Sequence, residues 1–425
     1  MRKLLLVAAL GLAPFTAAAS PNVLLVIADD MGIDASPCHA EGSDMARMPT
    51  LQALCDRGMV YENAHAYPTC SPTRASIITG LYASRTGVGS AVQPRAGNGL
   101  DANTTTLFDR LNAQGRYAHA VVGKWHLASR PRDLSHPSKM GVTTYYGIPS
   151  GGVKDYESWS VVENGRSRKS STYITSDLTD YAIDWVAQQS KPWFLWLAYT
   201  APHTPFHAPP SDLHSFGTLS ENASTIRRDP RKHYFAALEA LDTELGRLLN
   251  GLSASERANT VVIFTGDNGS PQQVARRLNT MRSAKGTIYN GGTQVPMVIS
   301  GPGISKGRNT DPVQVTDLFD TILTLTGATG YTKDSHDLSA TFNGQSSSRP
   351  AAFIEHFSPN AGRGKPVYGW TMISNSHSLI APEGKAQELY AANDQRQRRN
   401  LLKNAQTAAQ SAAQTLNDLR DSFLN

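Results

Sequence analysis

Five short apolar runs set the fold class of this chain: NVLLVIA (22–28), YAHAVVG (117–123), WFLWLAY (193–199), TVVIFTG (260–266) and VPMVIS (295–300). Each is continuously hydrophobic rather than alternating, the pattern of a strand covered on both faces, as in a parallel sheet. Helical patterns lie between them. PTLQALCDRG (49–58) carries Pro49 at its start and Gly58 just past its end, the expected asymmetry of helix termini. TTTLFDRLNAQG (104–115) opens on a Thr cap and stops at Gly115. SDLTDYAIDWVAQQ (176–189), RKHYFAALEALDTELGRLLNGL (231–252) and TDLFDTILTLTG (316–327) space their apolar residues as helices do. The alternation predicts an α/β fold: a large mixed, mostly parallel sheet sandwiched by helices.

Beyond about residue 345 the texture changes. AAFIEHF, YGWTMIS, HSLIAP and QELYAA are short, turn-separated and strand-like, and the tail 404–425 reads as a helix. A small C-terminal antiparallel sheet with a terminal helix is expected there. GQSSSRP (344–350) is the expected linker between a main domain over 20–345 and a C-terminal subdomain over 346–425.

The first twenty residues, MRKLLLVAALGLAPFTAAAS, have a basic start at Arg2 and Lys3, an apolar centre and a run of small residues at Ala17 to Ala19. This is the pattern of a cleavable signal peptide over 1–19, so a periplasmic or secreted protein is expected. No later run is long and apolar enough to predict a membrane span. A net charge of +5 is modest for 425 residues, and no Lys/Arg block is interleaved with aromatics, which speaks against nucleic acid as partner. Three cysteines, Cys38, Cys55 and Cys70, are an odd number for an oxidising compartment. Cys38 and Cys55 could pair and leave Cys70 free, or all three could be buried thiols.

Four of the apolar runs end in polar groups: Asp29-Asp30; Lys124-Trp125-His126; His203 and His207; Asp267-Asn268-Gly269. Singly, each has an ordinary reading as a cap, a turn or a solvated side chain. Ligands in open α/β sheets bind beyond the carboxyl ends of the strands, so in a parallel sheet the four groups converge. Asp29, Asp30, Asp267 and Asn268 offer hard oxygen ligands suited to Ca²⁺ or Mg²⁺ rather than zinc. Arg74, Lys124 and Lys285 would turn such a site toward an anionic substrate, with His126 and His203 as donors or proton carriers. The set describes metal-assisted chemistry on an anionic oxyester.

CSPTRASIITG (70–80) resembles the sulfatase signature Cys-x-Pro-x-Arg followed by Thr-Gly, and GKWHL (123–127) the second signature of that family. IADDMG (27–32), APHTPF (201–206), FTGDNGS (264–270), SAKGTIYNGGTQVP (283–296) and ELYAANDQRQRRNLL (388–402) follow in the family's order. The resemblance covers most of the chain and implies the alkaline-phosphatase-like fold and hydrolysis of a sulfate monoester, on a sulfated saccharide or an aryl sulfate. It implies that a formylglycine-generating enzyme oxidises Cys70 to formylglycine, whose hydrate carries a nucleophilic hydroxyl and a second hydroxyl for self-release. By the same resemblance Asp29, Asp30, Asp267, Asn268 and the Cys70-derived group would hold Ca²⁺, with Mg²⁺ as the other candidate. Arg74 and Lys124 would orient the hydrate, His203 and Lys285 would bind the sulfate and assist the leaving alcohol, and His126 would take the proton that releases sulfate.

Gln294 stands where many relatives carry Arg, Asn290 where Glu is common, and AANDQRQ replaces an acidic Asp-Pro stretch. His207, Trp159 and His356 are candidate lining residues of the substrate cleft. Competing readings are a phosphonate monoester or phosphodiester hydrolase using the same formylglycine, a non-catalytic sulfated-glycan binding protein, a two-zinc phosphatase, and a cysteine hydrolase built on Cys70 and a histidine.

Overall fold

The computed structural model describes residues 20–39, 45–93, 98–129, 133–278, 281–360, 369–404 and 406–425. The expected leader, 1–19, lies outside them. Ten strands form one sheet in the order Gly307–Asn309, Met59–Tyr61, Met297–Ser300, Thr260–Gly266, Asn22–Ala28, Trp193–Ala198, Ala118–Lys124, Thr144–Ile148, Trp159–Glu163, Arg166–Ser170. The five strands from Thr260–Gly266 to Thr144–Ile148 run parallel.

Their continuous hydrophobicity follows from helices on both faces. Val23, Leu25 and Ile27 of the central strand enter one core with Leu107, Phe108, Leu318 and Phe319, while Leu24, Val26 and Ala28 enter the other with Leu51, Leu178, Tyr234 and Leu241. Successive side chains point to opposite faces, so a strand buried on both must be apolar throughout. The helix Leu107–Gln114 is closed by Thr106, whose hydroxyl accepts from the Asp109 amide while the Asp109 carboxylate accepts from the Thr106 amide, and by Gly115 at φ 72°.

The run at 295–300 departs from the parallel pattern. Met297–Ser300 pairs antiparallel with Thr260–Gly266. Met297 pairs with Thr265 near the carboxyl end of Thr260–Gly266, so this strand starts at that edge and runs back. Trp159–Glu163 and Arg166–Ser170 pair antiparallel beyond Thr144–Ile148. The sequence did not announce this edge, because Arg166–Ser170 (RSRKS) is exposed over four of its five residues and has no apolar face.

The C-terminal part is a four-stranded antiparallel sheet in chain order, Ala352–His356, Gly369–Ile373, His377–Pro382 and Glu388–Ala391, with the helix Thr407–Leu424 packed on it through Ala409, Ala413 and Leu416. Within the expected linker, Arg349 is buried and its Nε donates to both oxygens of Asp317 at 2.9 and 2.8 Å. Cys38 and Cys55 form a disulfide, their Cα atoms 6.1 Å apart. No helix among the described residues is long and apolar enough to cross a membrane.

Candidate active site

The strands Thr260–Gly266, Asn22–Ala28, Trp193–Ala198 and Ala118–Lys124 are successive neighbours and parallel. Asp267-Asn268, Asp29-Asp30, His203 and Lys124-His126 therefore leave the sheet at one edge. Close packing of the strand ends depends on Gly123: at φ 111°, a Cβ there would stand 1.9 Å from the carbonyl oxygen of Ala198. Cys70 and Arg74 arrive on the buried helix Cys70–Thr79, which ends at Gly80. Lys285 comes from the segment before Met297–Ser300.

Three buried carboxylates face three cations. Lys124 Nζ donates to Asp29 Oδ2 at 2.6 Å. Arg74 donates to Asp267 Oδ2 from Nε at 3.1 Å and Nη2 at 2.8 Å, and to the Lys124 carbonyl from Nη1 at 2.6 Å. Lys285 Nζ donates to Asp30 Oδ1 at 2.5 Å, and Asn268 Nδ2 donates to the same oxygen at 2.8 Å. His203 Nε2 lies 3.9 Å from Asp30 Oδ2.

The carboxylates are held in different states. Burial pushes Asp29 up to about 7 against the pull of Lys124. Burial also acts on Asp30, but Lys285, His203 and Lys124 outweigh it and hold that group below the usual carboxylate range. Asp267 is likewise lowered, its burial overcome by Arg74 and Lys124. Lys285 is raised, Asp30 prevailing over desolvation.

Two oxygens in this cluster lack hydrogen-bond partners: Asp29 Oδ1 and Asn268 Oδ1, both fully buried. A buried acceptor without a donor costs free energy, and a hard cation is a partner that supplies no proton and satisfies both. Asp29, Cys70 and Asp267 offer ligand atoms within 4.8 Å of one another, as do Asp29, Asp30 and His203. The residues fit a divalent cation.

Cys70 is buried, its Sγ 3.1 Å from His126 Nδ1. His126 Nε2 lies 3.0 Å from the Val92 carbonyl, which can only accept, so Nε2 carries the proton and Nδ1 turns its lone pair toward Cys70. Burial, reinforced by Lys124, keeps the ring well below its ordinary pKa and hence neutral. His126 itself sits at φ 57°.

Several supporting residues have no motif of their own. Ser71 Oγ donates to the His126 carbonyl at 2.8 Å and accepts from the Val92 amide at 2.9 Å. Thr73 Oγ1 donates to the Asp267 carbonyl at 2.7 Å. Tyr234 donates to the carbonyl of Asp30, and Tyr156 to those of Thr200 and His203. These bonds join side chain to backbone across 21 to 204 positions of sequence, and no local pattern signals them.

The three candidate lining residues separate. His207 stacks on Tyr156 with ring centroids 3.8 Å apart and borders a cavity of about 830 Å³, together with Lys154, Phe206 and Arg227. Thr204, which follows His203 in the chain, is among its lining residues. Trp159 is buried, donating to the Thr172 carbonyl at 3.0 Å. His356 is buried in the C-terminal sheet.

The sulfatase family model matches residues 21–328, and the chain belongs to that family. It is 29% identical to arylsulfatase J of Mus musculus over 325 residues, 72% of this chain and 52% of that protein. It is also 29% identical to N-acetylgalactosamine-6-sulfatase of Mus musculus over 359 residues, 76% of this chain and 66% of that protein. The chain thus spans between half and two thirds of these curated relatives. Among solved structures, Ps i-CgsB in complex with k-i-k-neocarrahexaose superposes with a TM-score of 0.81 at 23% identity, over 95% of this chain and 93% of that one. The fold is the alkaline-phosphatase-like one that the sulfatase resemblance implied.

Proposed function

We propose that the chain hydrolyses a sulfate monoester of a saccharide to the alcohol and inorganic sulfate. The observation that carries this reading is the pair of unpartnered oxygens, Asp29 Oδ1 and Asn268 Oδ1, in a cluster where Asp29, Asp267 and Cys70 offer ligand atoms within 4.8 Å of one another and Lys124, Arg74 and Lys285 bond the carboxylates. Asp29, Asp30, Asp267, Asn268 and the Cys70-derived group would hold Ca²⁺ or Mg²⁺. Such an ion supplies polarisation of the sulfate and a lower pKa for a neighbouring hydroxyl. Oxidised to formylglycine, Cys70 supplies a hydrated aldehyde with one hydroxyl for attack on sulfur and another for releasing sulfate.

The chain's own residues do the rest. Arg74, locked by Asp267 and the Lys124 carbonyl, and Lys124, locked by Asp29, fix the position of the nucleophile. Lys285, bonded to Asp30, and His203, 3.9 Å from it, bind the sulfate oxygens, and His203 protonates the departing alcohol. His126 accepts a proton at Nδ1, the atom its bond to Val92 leaves free. The cavity lined by Thr204 and His207 takes the alcohol, and the name of the amino-sugar sulfatase relative supports a sugar there.

Maturation by a formylglycine-generating enzyme before folding agrees with a Cys70 that is 2% exposed in the folded chain. The Cys38–Cys55 disulfide supports export through the expected leader to a periplasmic or extracellular setting. The test is mass spectrometry of the Cys70 peptide together with sulfate release from an aryl sulfate and a panel of sulfated saccharides. An aldehyde in place of the thiol, and turnover lost with chelator or Cys70→Ala, is the expected result. An unmodified thiol in active protein from the native host, or faster turnover of a phosphonate monoester, overturns it.

A further inference from the structure

Lys285 lies on a segment that the C-terminal sheet grips on both sides. Three residues before it, Arg282 Nη1 donates to Glu388 Oε2 at 2.7 Å and also bonds the Tyr390 hydroxyl, while its guanidinium lies 3.9 Å over the Tyr289 ring. Three residues after it, the Ile288 carbonyl accepts from Thr371 Oγ1 at 2.7 Å, and Ile288 packs on Ile380 and Tyr390. Five residues after it, Asn290 and Gln397 exchange two hydrogen bonds. The Asn290 backbone amide donates to Gln397 Oε1 at 3.0 Å, and Gln397 Nε2 donates to Asn290 Oδ1 at 3.1 Å.

Gln397 is 2% exposed. It holds a left-handed backbone at φ 50°, a conformation that non-glycine residues adopt rarely and at a cost. The Asn290 and Gln397 positions belong to the departures from the family pattern noted in the sequence, and in space they meet. Neutral amides are joined there in complementary pairs, which neither titrate nor respond to salt as an ion pair would.

We propose that the C-terminal sheet, together with the segment after its last strand that carries Gln397, is a clamp for Lys285, with Gln397 and Thr371 as positioning residues for the ammonium that binds the substrate's sulfate. This rests on the function proposed above for Lys285. The main domain fixes Lys285 through its amide to the Ser270 carbonyl at 3.0 Å and through Asp30. The clamp fixes the chain on either side, so the Nζ position is set by two units at once.

Gln397→Asn keeps an amide and tolerates the left-handed backbone but is one methylene too short; Thr371→Val keeps the shape and deletes the donor. Each is expected to raise the KM for an aryl sulfate about tenfold with kcat changed less than about twofold, as loss of uniform binding requires. Each is also expected to speed hydrogen exchange at the amides of 284–292. In a Lys285→Ala background, Gln397→Asn is expected to add less than about twofold, because the group it positions is gone. An unchanged KM in both variants, or the same tenfold loss with and without Lys285, overturns the clamp. Exchange is read without turnover, so a failed clamp shows as unaltered exchange. A failed sulfatase reading shows instead as wild-type protein that releases no sulfate.

Discussion

Two buried charge clusters in this molecule are completed to different degrees. Where the main body meets the C-terminal sheet, Asp317 accepts from Arg349 Nε on both oxygens and from the amides of Gln314 and His336 at 2.9 Å each. Arg349 Nη2 also donates to Asp317 and to the Asp334 carbonyl, and Nη1 to the Tyr82 hydroxyl and the Ala351 carbonyl. At the strand ends, Arg74, Lys124, Asp29 and Asp267 are as deeply buried, yet Asp29 Oδ1 and Asn268 Oδ1 have no donor. A network closed by the protein's own groups stabilises its junction and has nothing left to offer a ligand. An open one keeps acceptors in place at a cost in free energy, which makes sense only if something else completes it.

The largest effect should come from disturbing the open cluster. Asp29→Asn removes one of the unpartnered oxygens and a negative charge. Sulfate release is expected to fall about 10³-fold, and the rise in thermal midpoint expected of the wild type with Ca²⁺ should shrink. In the wild type that rise corresponds to about 2.7 kcal/mol at a hundredfold excess over Kd. A variant that retains the full Ca²⁺ shift would show that the two oxygens are not its site. The closed cluster should behave in the opposite sense. Arg349→Met leaves Asp317 buried without its ion-pair partner, and urea unfolding should report a loss of about 3–5 kcal/mol while the folded fraction keeps its kcat/KM. Adding Asp317→Leu should recover part of that loss, since an apolar pair replaces an orphaned charge.

The sheet and its principal helices were legible because burial on both faces leaves a continuous apolar run and helix ends leave Pro, Thr and Gly. Asp29, Lys124, His203 and Asp267 were legible because each follows such a run. The direction of Met297–Ser300 was not, since an apolar run carries no sign of which way its strand points. Nor was the edge strand Arg166–Ser170, which buries too little to need a pattern. Ser71, Tyr156 and Tyr234 escaped for another reason: a hydroxyl that bonds a distant carbonyl has no local sequence requirement. Arg349 sat in a Ser-rich stretch whose composition suggests a loose connection, and the partner that buries it, Asp317, is thirty-two positions away.

A third prediction concerns the seam that Arg349 belongs to. Glu355, in the C-terminal sheet, accepts from the Ser84 amide at 2.9 Å, and burial pushes its carboxyl from 4.5 up to about 7 despite that bond. A carboxyl raised on folding contributes stability that is complete below about 4.5 and is lost as pH climbs through about 7. Glu355→Gln keeps the acceptor and cannot ionise. It should match the wild type at pH 4 and exceed it by about 1–3 kcal/mol at pH 8 in denaturant unfolding; equal stability at pH 8 would place the ionised carboxylate at no disadvantage in the seam. The smallest effect is expected at Lys139 and Asp133, an ion pair with Nζ to Oδ2 at 2.9 Å and side chains 50% and 25% exposed. Here water can complete whatever the protein leaves open, so the distance carries little energy. Lys139→Ala should move stability by less than about 1 kcal/mol, and less again in high salt. A larger loss would mean that short ion-pair geometry alone stabilises this fold, and the contrast between open and closed clusters would then have to be drawn from distance rather than from burial and unmet bonds.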